Sequence, residues 1–146
     1  MAIHIYHYTK CSTCRKARAF LDRHGIAHTH SDLVASPIPA ARLRDLIARS
    51  GLPIARFFNT AGESYRNGDW KTRIKQSTEK ELIAALASDG KLVKRPILDA
   101  TDFVLVGFDE KAYAAKLLDL LTQATCVLKP HVAAHSGRAG SLRAQA

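Results

Sequence analysis

Two cysteines three residues apart, in the run Cys11-Ser12-Thr13-Cys14, are the side chains whose type and spacing best suit covalent chemistry. The thiolate is the reactive form of cysteine, and it is favoured where unpaired backbone N–H groups and positive charge converge, as at a helix N-terminus. The pair follows a short β-branched and aromatic run, residues 3–8, and opens an amphipathic run in which Cys14, Ala17, Phe20, Leu21 and His24 share a face before Gly25 stops it. Lys10, Arg15 and Lys16 flank the first cysteine and add positive potential. On this reading Cys11 is the more exposed nucleophile, at or just before the helix N-terminus, with a pKa below the free value of about 8.5. Cys14, one turn further on, is close enough to attack a sulfur adduct on Cys11. Two other readings of the same residues stand beside this one. A Cys-x-x-Cys pair can be half of a zinc site, but His28, His30 and Cys126 make no recognisable second ligand pair. Cys14 can equally be a small core residue on the buried stripe, with Cys11 acting alone.

The elements that must position the pair follow from periodicity and punctuation. Residues 27–33 read as a second strand, so that strand, helix and strand form a βαβ unit with parallel pairing. Ser36-Pro37-Ile38-Pro39 leads into a helix carrying Leu43, Leu46 and Ile47 and ended by Gly51. Residues 53–70 read as one short helix around Phe57-Phe58, both core by default, and a second further on. Thr78 with Glu81 three residues later is a capping box ahead of Leu82, Ile83 and Leu86, and Asp89-Gly90 ends that helix. Residues 97–99 and 103–106 read as a hairpin, and a last helix from near Asp109 carries Tyr113, Leu117, Leu120 and Leu121 on one stripe. The order βαβ, helical insert, ββα resembles the thioredoxin arrangement with helices placed between its halves, an α/β fold. From about Lys129 periodicity vanishes, so residues 1–128 read as one domain and 129–146 as a disordered basic tail.

No apolar run approaches the roughly 20 residues that span a bilayer, and the N-terminus lacks the features of a signal peptide. Both point to the cytoplasm, where three cysteines argue for redox or metal chemistry rather than a disulfide framework. The net charge of +9 includes Lys129, Arg138 and Arg143 of the tail, leaving +6 for residues 1–128. With no long Lys/Arg block and no interleaved aromatics, direct nucleic-acid binding is not expected. A basic surface suits a small anionic substrate or an acidic protein partner. His4, His7, His28 and His30 read as strand and surface residues.

The stretch Tyr8-Thr9-Lys10-Cys11-Ser12-Thr13-Cys14-Arg15-Lys16-Ala17 closely resembles the active-site region of the arsenate reductase (ArsC) and Spx superfamily. The resemblance continues in Phe57-Phe58-Asn59-Thr60-Ala61-Gly62, Leu92-Val93-Lys94-Arg95-Pro96-Ile97 and Val106-Gly107-Phe108, in the family's order. In the glutaredoxin-linked reductases a cysteine at the position of Cys11 attacks arsenate and three arginines hold the oxyanion. One of them matches Arg95; the other two positions hold Asn59 and Gly107 here. The resemblance places Lys10, Ser12, Thr13, Asn59 and Pro96 around a bound substrate, and implies a cis peptide before Pro96, where the bare sequence suggests an ordinary trans proline opening a strand. It implies no metal or tightly bound organic cofactor, and glutathione with glutaredoxin, or thioredoxin, as reductant. Each charged oxyanion contact is worth roughly 1.5–3 kcal/mol, so efficient arsenate reduction does not follow. Spx proteins are similar in carrying Cys-x-x-Cys before Arg-Lys-Ala; they bind the C-terminal domain of the RNA polymerase α subunit and use the pair as a redox switch. The combined expectation is a thiol-dependent oxidoreductase with Cys11 as nucleophile, Cys14 as its resolving partner in a redox disulfide, and Arg95 as the stabilising cation. The alternative is an Spx-type regulator.

Overall fold

Strand β1 (Ile3–His7) lies at the centre of a four-stranded sheet of order β2-β1-β3-β4. It runs parallel to β2 (Thr29–Asp32) and antiparallel to β3 (Ile97–Ala100), which in turn pairs antiparallel with β4 (Val104–Val106). The structure, a computed structural model, describes residues 2–119. Leu120, Leu121, Cys126, the boundary after residue 128 and the basic tail therefore lie outside the described residues. The helices are α1 (Ser12–Arg23) between β1 and β2, then α2 (Ala40–Ser50), α3 (Glu63–Asn67), α4 (Trp70–Gln76) and α5 (Glu79–Ser88) before β3, and α6 (Glu110–Tyr113) after β4. A 3-10 turn, Ile54–Phe57, precedes α3, and α6 runs into a π-helix, Ala114–Leu118. This is the expected thioredoxin-like α/β order with a helical insert.

The sheet separates two apolar layers. Ile3 and Ile5 of β1 pack with Ala17, Phe20 and Leu21 of α1 and with Tyr113 and Leu117. Tyr6, on the opposite face by the period of two, packs with the insert layer of Leu43, Leu46, Phe57, Phe58, Leu82, Leu86 and Val93. All four residues of β3 are buried, Asp99 among them at 5% exposure. A carboxylate on a buried central strand is sustained only by close partners, and α2 supplies them. Arg49 Nη2 donates to Asp99 Oδ1 at 2.8 Å, Arg42 Nη2 to Oδ2 at 2.5 Å, and Arg49 Nη1 to the Ala100 carbonyl at 2.8 Å. This clamp fixes the strand that begins one residue after Pro96.

Local signals explain most boundaries. Gly51 stops α2 in the left-handed conformation at φ 67°. Thr78 and Glu81 form the reciprocal box, at 2.8 and 3.3 Å, and Asp109 accepts from Lys111 N–H at 2.9 Å. Other elements differ from expectation. Helix α4 follows an uncapped start at Asp69, itself left-handed at φ 52°, and buries only Trp70, so it shows neither a cap nor a stripe in the sequence. Phe58 lies outside the 3-10 turn and bridges to Val93 instead. β2 is shorter than expected because its residues lie on an exposed sheet edge.

His7 is not a surface residue: it is 6% exposed and its Nε2 lies 3.1 Å from His30 Nδ1. Burial holds the His7 imidazole below its ordinary pKa, helped by the charge of Arg18 and by His30. Burial likewise lowers His4, against the pull of Asp99. The unfolded chain, with both rings near 6.5, thus binds more protons than the folded one below that pH. Their contribution is complete above about pH 6.5 and is lost as pH falls through the lowered values. Asp32 and Asp45, shifted down from 3.8, add nothing in that window. Urea unfolding midpoints are expected to fall between about pH 7.5 and about pH 5.5, and His7→Asn is expected to flatten that fall.

Candidate active site

The turn that presents Cys11 is held from two sides. Cys11 N–H donates to the Tyr8 carbonyl at 3.0 Å. The preceding Thr9 donates its N–H at 3.1 Å and its hydroxyl at 2.6 Å to Asp32 Oδ2 at the end of β2. Asp32 Oδ1 in turn accepts from Val34 and Ala35 N–H at 2.8 and 3.1 Å. The Thr9 hydroxyl first, and these N–H groups with it, keep the Asp32 carboxyl well below the usual carboxylate range. Cys11 has extended backbone angles, φ −89° and ψ 118°, and is the N-cap of α1, its Sγ accepting from Cys14 N–H at 3.4 Å. A sulfur thus stands where a Ser, Thr or Asp oxygen usually caps a helix.

Burial works against a charge on Cys11, yet hydrogen bonds from the Cys14 thiol and N–H, with the hydrogen bond and charge of Arg95, outweigh it and hold the thiol below its ordinary value. Cys14, 1% exposed, goes the other way. Burial first, then the bond it donates to Cys11, pushes it up to about 12. The pair is split by geometry into an acceptor at the surface and a donor beneath it. The cation acting on Cys11 is Arg95, from a distant part of the chain, whereas Lys10, Arg15 and Lys16 are exposed.

Arg95 also lies 4.7 Å over the Tyr8 ring and donates to the Lys91 carbonyl at 3.5 Å. The Arg95–Pro96 peptide is cis, as the family resemblance implied, and Pro96 is buried. A polar cleft of about 580 Å3 opens beside Arg95, lined by Tyr8, Asn59, Glu63, Asn67 and Lys91 among others. Asn59 is tied to the same loop, its N–H to the Leu92 carbonyl at 2.8 Å and its Nδ2 to that of Lys91 at 3.5 Å. Gly107 does not line that cleft but adjoins the cis proline, its N–H on the Pro96 carbonyl at 2.8 Å and its backbone at φ 80°. Ser12 and Thr13 are exposed on the first turn of α1. Cys11, Cys14, Arg95 and Asn59 are therefore drawn to one region. His28 and His30 are engaged elsewhere, by the Ile26 carbonyl and by His7. Tyr8 opens the cysteine block, which is its one sequence signal; Asp32 and Lys91 carry none.

Comparison with known proteins places the chain in a family. The ArsC family model matches residues 6–116. A crystal structure from Bacteroides fragilis, described as ArsC family related, is 38% identical with a TM-score of 0.76, covering 79% of this chain and 97% of the other. A possible arsenate reductase from Streptococcus mutans is 38% identical with a TM-score of 0.68, covering 73% and 90%. The global transcriptional regulator Spx of Streptococcus mutans is 25% identical over 107 residues, 73% of this chain and 77% of the regulator. The chain belongs to the ArsC family.

Proposed function

We propose that the protein is a thiol-dependent oxidoreductase acting on a small oxyanion or a thiol–disulfide substrate. Cys11 is the nucleophile, Arg95 stabilises its thiolate and the incoming anion, and Cys14 resolves the adduct. The observation that carries this reading is the split pair: Cys11 Sγ accepts from Cys14 N–H at 3.4 Å and is held low by Arg95, while Cys14 keeps its proton. Once an adduct occupies Cys11, its negative charge and acceptor role vanish. Two of the forces that raise Cys14 then go with them, and Cys14 becomes easier to ionise when it is needed. A well-placed intramolecular thiol outcompetes millimolar external thiol, so the internal route precedes reduction by glutathione with glutaredoxin, or by thioredoxin. Those are cytoplasmic reductants, and among the described residues no helix is long and apolar enough to cross a membrane. The substrate lies against Lys10, Ser12, Thr13, Asn59 and Pro96.

Mild peroxide is expected to give a reversible Cys11–Cys14 disulfide without Cys126. Mass spectrometry would show the peptide spanning both cysteines lighter by two hydrogens. Glutathione trapped on Cys11 with Cys14 free would instead make Cys14 a core residue. The similarity to an Spx regulator favours a second reading, in which the pair is a switch and the partner is the RNA polymerase α subunit. Turnover that vanishes in Cys11→Ser supports the enzyme; retention of polymerase in a pull-down without turnover supports the regulator.

A further inference from the structure

Asp32 ends β2 opposite His7, the last residue of β1, and Leu33 N–H locks the two strand ends together on the His7 carbonyl at 2.8 Å. From that fixed point the carboxylate uses both oxygens. Oδ1 accepts from Val34 and Ala35 N–H at 2.8 and 3.1 Å and closes the turn after β2. Oδ2 accepts the Thr9 hydroxyl at 2.6 Å and the Thr9 N–H at 3.1 Å. Thr9 and Lys10 form the exposed corner of the turn that Cys11 N–H closes on the Tyr8 carbonyl at 3.0 Å. Both halves of the site hang from this turn. Cys11 stands at its end, accepting from Cys14 N–H at 3.4 Å, and Tyr8 at its start, with the Arg95 guanidinium 4.7 Å over its ring. The Oδ2 arm therefore ties the corner between nucleophile and cation to the sheet.

We propose that Asp32 is a positioning residue for Cys11: through Thr9 it fixes the turn that sets the sulfur on the Cys14 N–H and the Tyr8 ring beneath Arg95. This rests on the nucleophilic role of Cys11 proposed above. Charge alone argues the other way, because a carboxylate near a thiol disfavours the thiolate. Geometry accounts for the residue type. The two arms need two acceptor oxygens, and a carboxamide has only one. The arms also divide the work. Oδ1 serves the turn after β2 and so the fold, while Oδ2 serves the cysteine turn and so the site. The Thr9 bonds are exposed, where losing one changes stability little, so their effect is on where Cys11 stands.

The test is alkylation of Cys11 by iodoacetamide, a neutral reagent, against pH in the full chain carrying Cys14→Ser and Cys126→Ser. Thr9→Val cuts the hydroxyl arm and leaves the turn after β2 intact. It is expected to slow the reaction about threefold to tenfold at neutral pH and to move the midpoint up, with a melting temperature near the parent's. Thr9→Ser, which keeps the hydroxyl, is expected to restore the parent profile. Asp32→Asn decides between charge and position by sign. Removing a carboxylate would by charge alone lower the midpoint, whereas loss of positioning raises it, and a rise is expected. A midpoint that stays put in Thr9→Val, or falls in Asp32→Asn, overturns the proposal. A parent midpoint at or above the free value of about 8.5 would overturn the activation of Cys11 instead. The ratio of Thr9→Val to parent rates would still decide the positioning role, an unchanged ratio ending it.

Discussion

Arsenate reduction by the protein is expected to be about 10²–10⁴-fold less efficient in kcat/KM than that of a three-arginine enzyme of the family assayed alongside. Of the three oxyanion-binding arginines that the family resemblance implies, Arg95 is present and holds the reactive thiol's pKa down, while Asn59 and Gly107 occupy the other two positions. Two charged contacts worth roughly 1.5–3 kcal/mol each are missing. Asn59 shares the cleft with Arg95, so Asn59→Arg is expected to recover about tenfold or more. Gly107 offers no such route. At φ 80°, with Lys94 Cε 3.4 Å from where a Cβ would stand, a side chain there costs about 1–2 kcal/mol of backbone strain. Gly107→Arg is therefore expected to lower the melting temperature whatever it does for the oxyanion. Wild-type turnover matching the three-arginine enzyme would refute this account of the substrate.

Arg95→Ala is expected to slow every Cys11-dependent reaction about 10–100-fold at neutral pH, while changing the fold little. The guanidinium gives Cys11 a hydrogen bond and a charge, and it is the cation that acts on the sulfur. A hydrogen bond to a charged group is worth about 1.5–3 kcal/mol, which is that range of rate. The stacking on Tyr8 is partly exposed and contributes about 0.5–1 kcal/mol. Arg95→Lys is expected to fall between, because it keeps the charge and loses the planar fork. Rates of Cys11 modification and thermal melts of the three proteins check this; an alanine variant within twofold of wild type would remove Arg95 from the mechanism.

What could be read in the sequence was what is local in the chain. The Cys11 cap, the Thr78–Glu81 box, the Gly51 stop and the stripes of α1, α2 and α5 are set within a few residues, and the structure has all of them. The charge on Cys11 has the opposite character. Lys10, Arg15 and Lys16 are near in sequence, but they extend into solvent; the acting cation, Arg95, comes from 84 positions away through the loop before β3, and it is the family resemblance, not local spacing, that singles it out. The Thr9–Asp32 clamp spans 23 positions, and the Asp99 clamp on α2 spans 50 and 57. No period or motif marks such pairs. His7 illustrates the same limit: its alternation with Ile3 and Ile5 placed it on the buried face of β1, but its polarity argued for the surface.

The central claim, that Cys11 is electrostatically activated by its place at the start of α1 and by Arg95, is tested most directly by its acidity. In a Cys14→Ser, Cys126→Ser protein, which leaves Cys11 as the reactive thiol and retains the N–H that it accepts from, alkylation rate is measured against pH. The account predicts a midpoint below the free value of about 8.5, moving up towards that value in Arg95→Ala. A midpoint at or above the free value in the parent would contradict it.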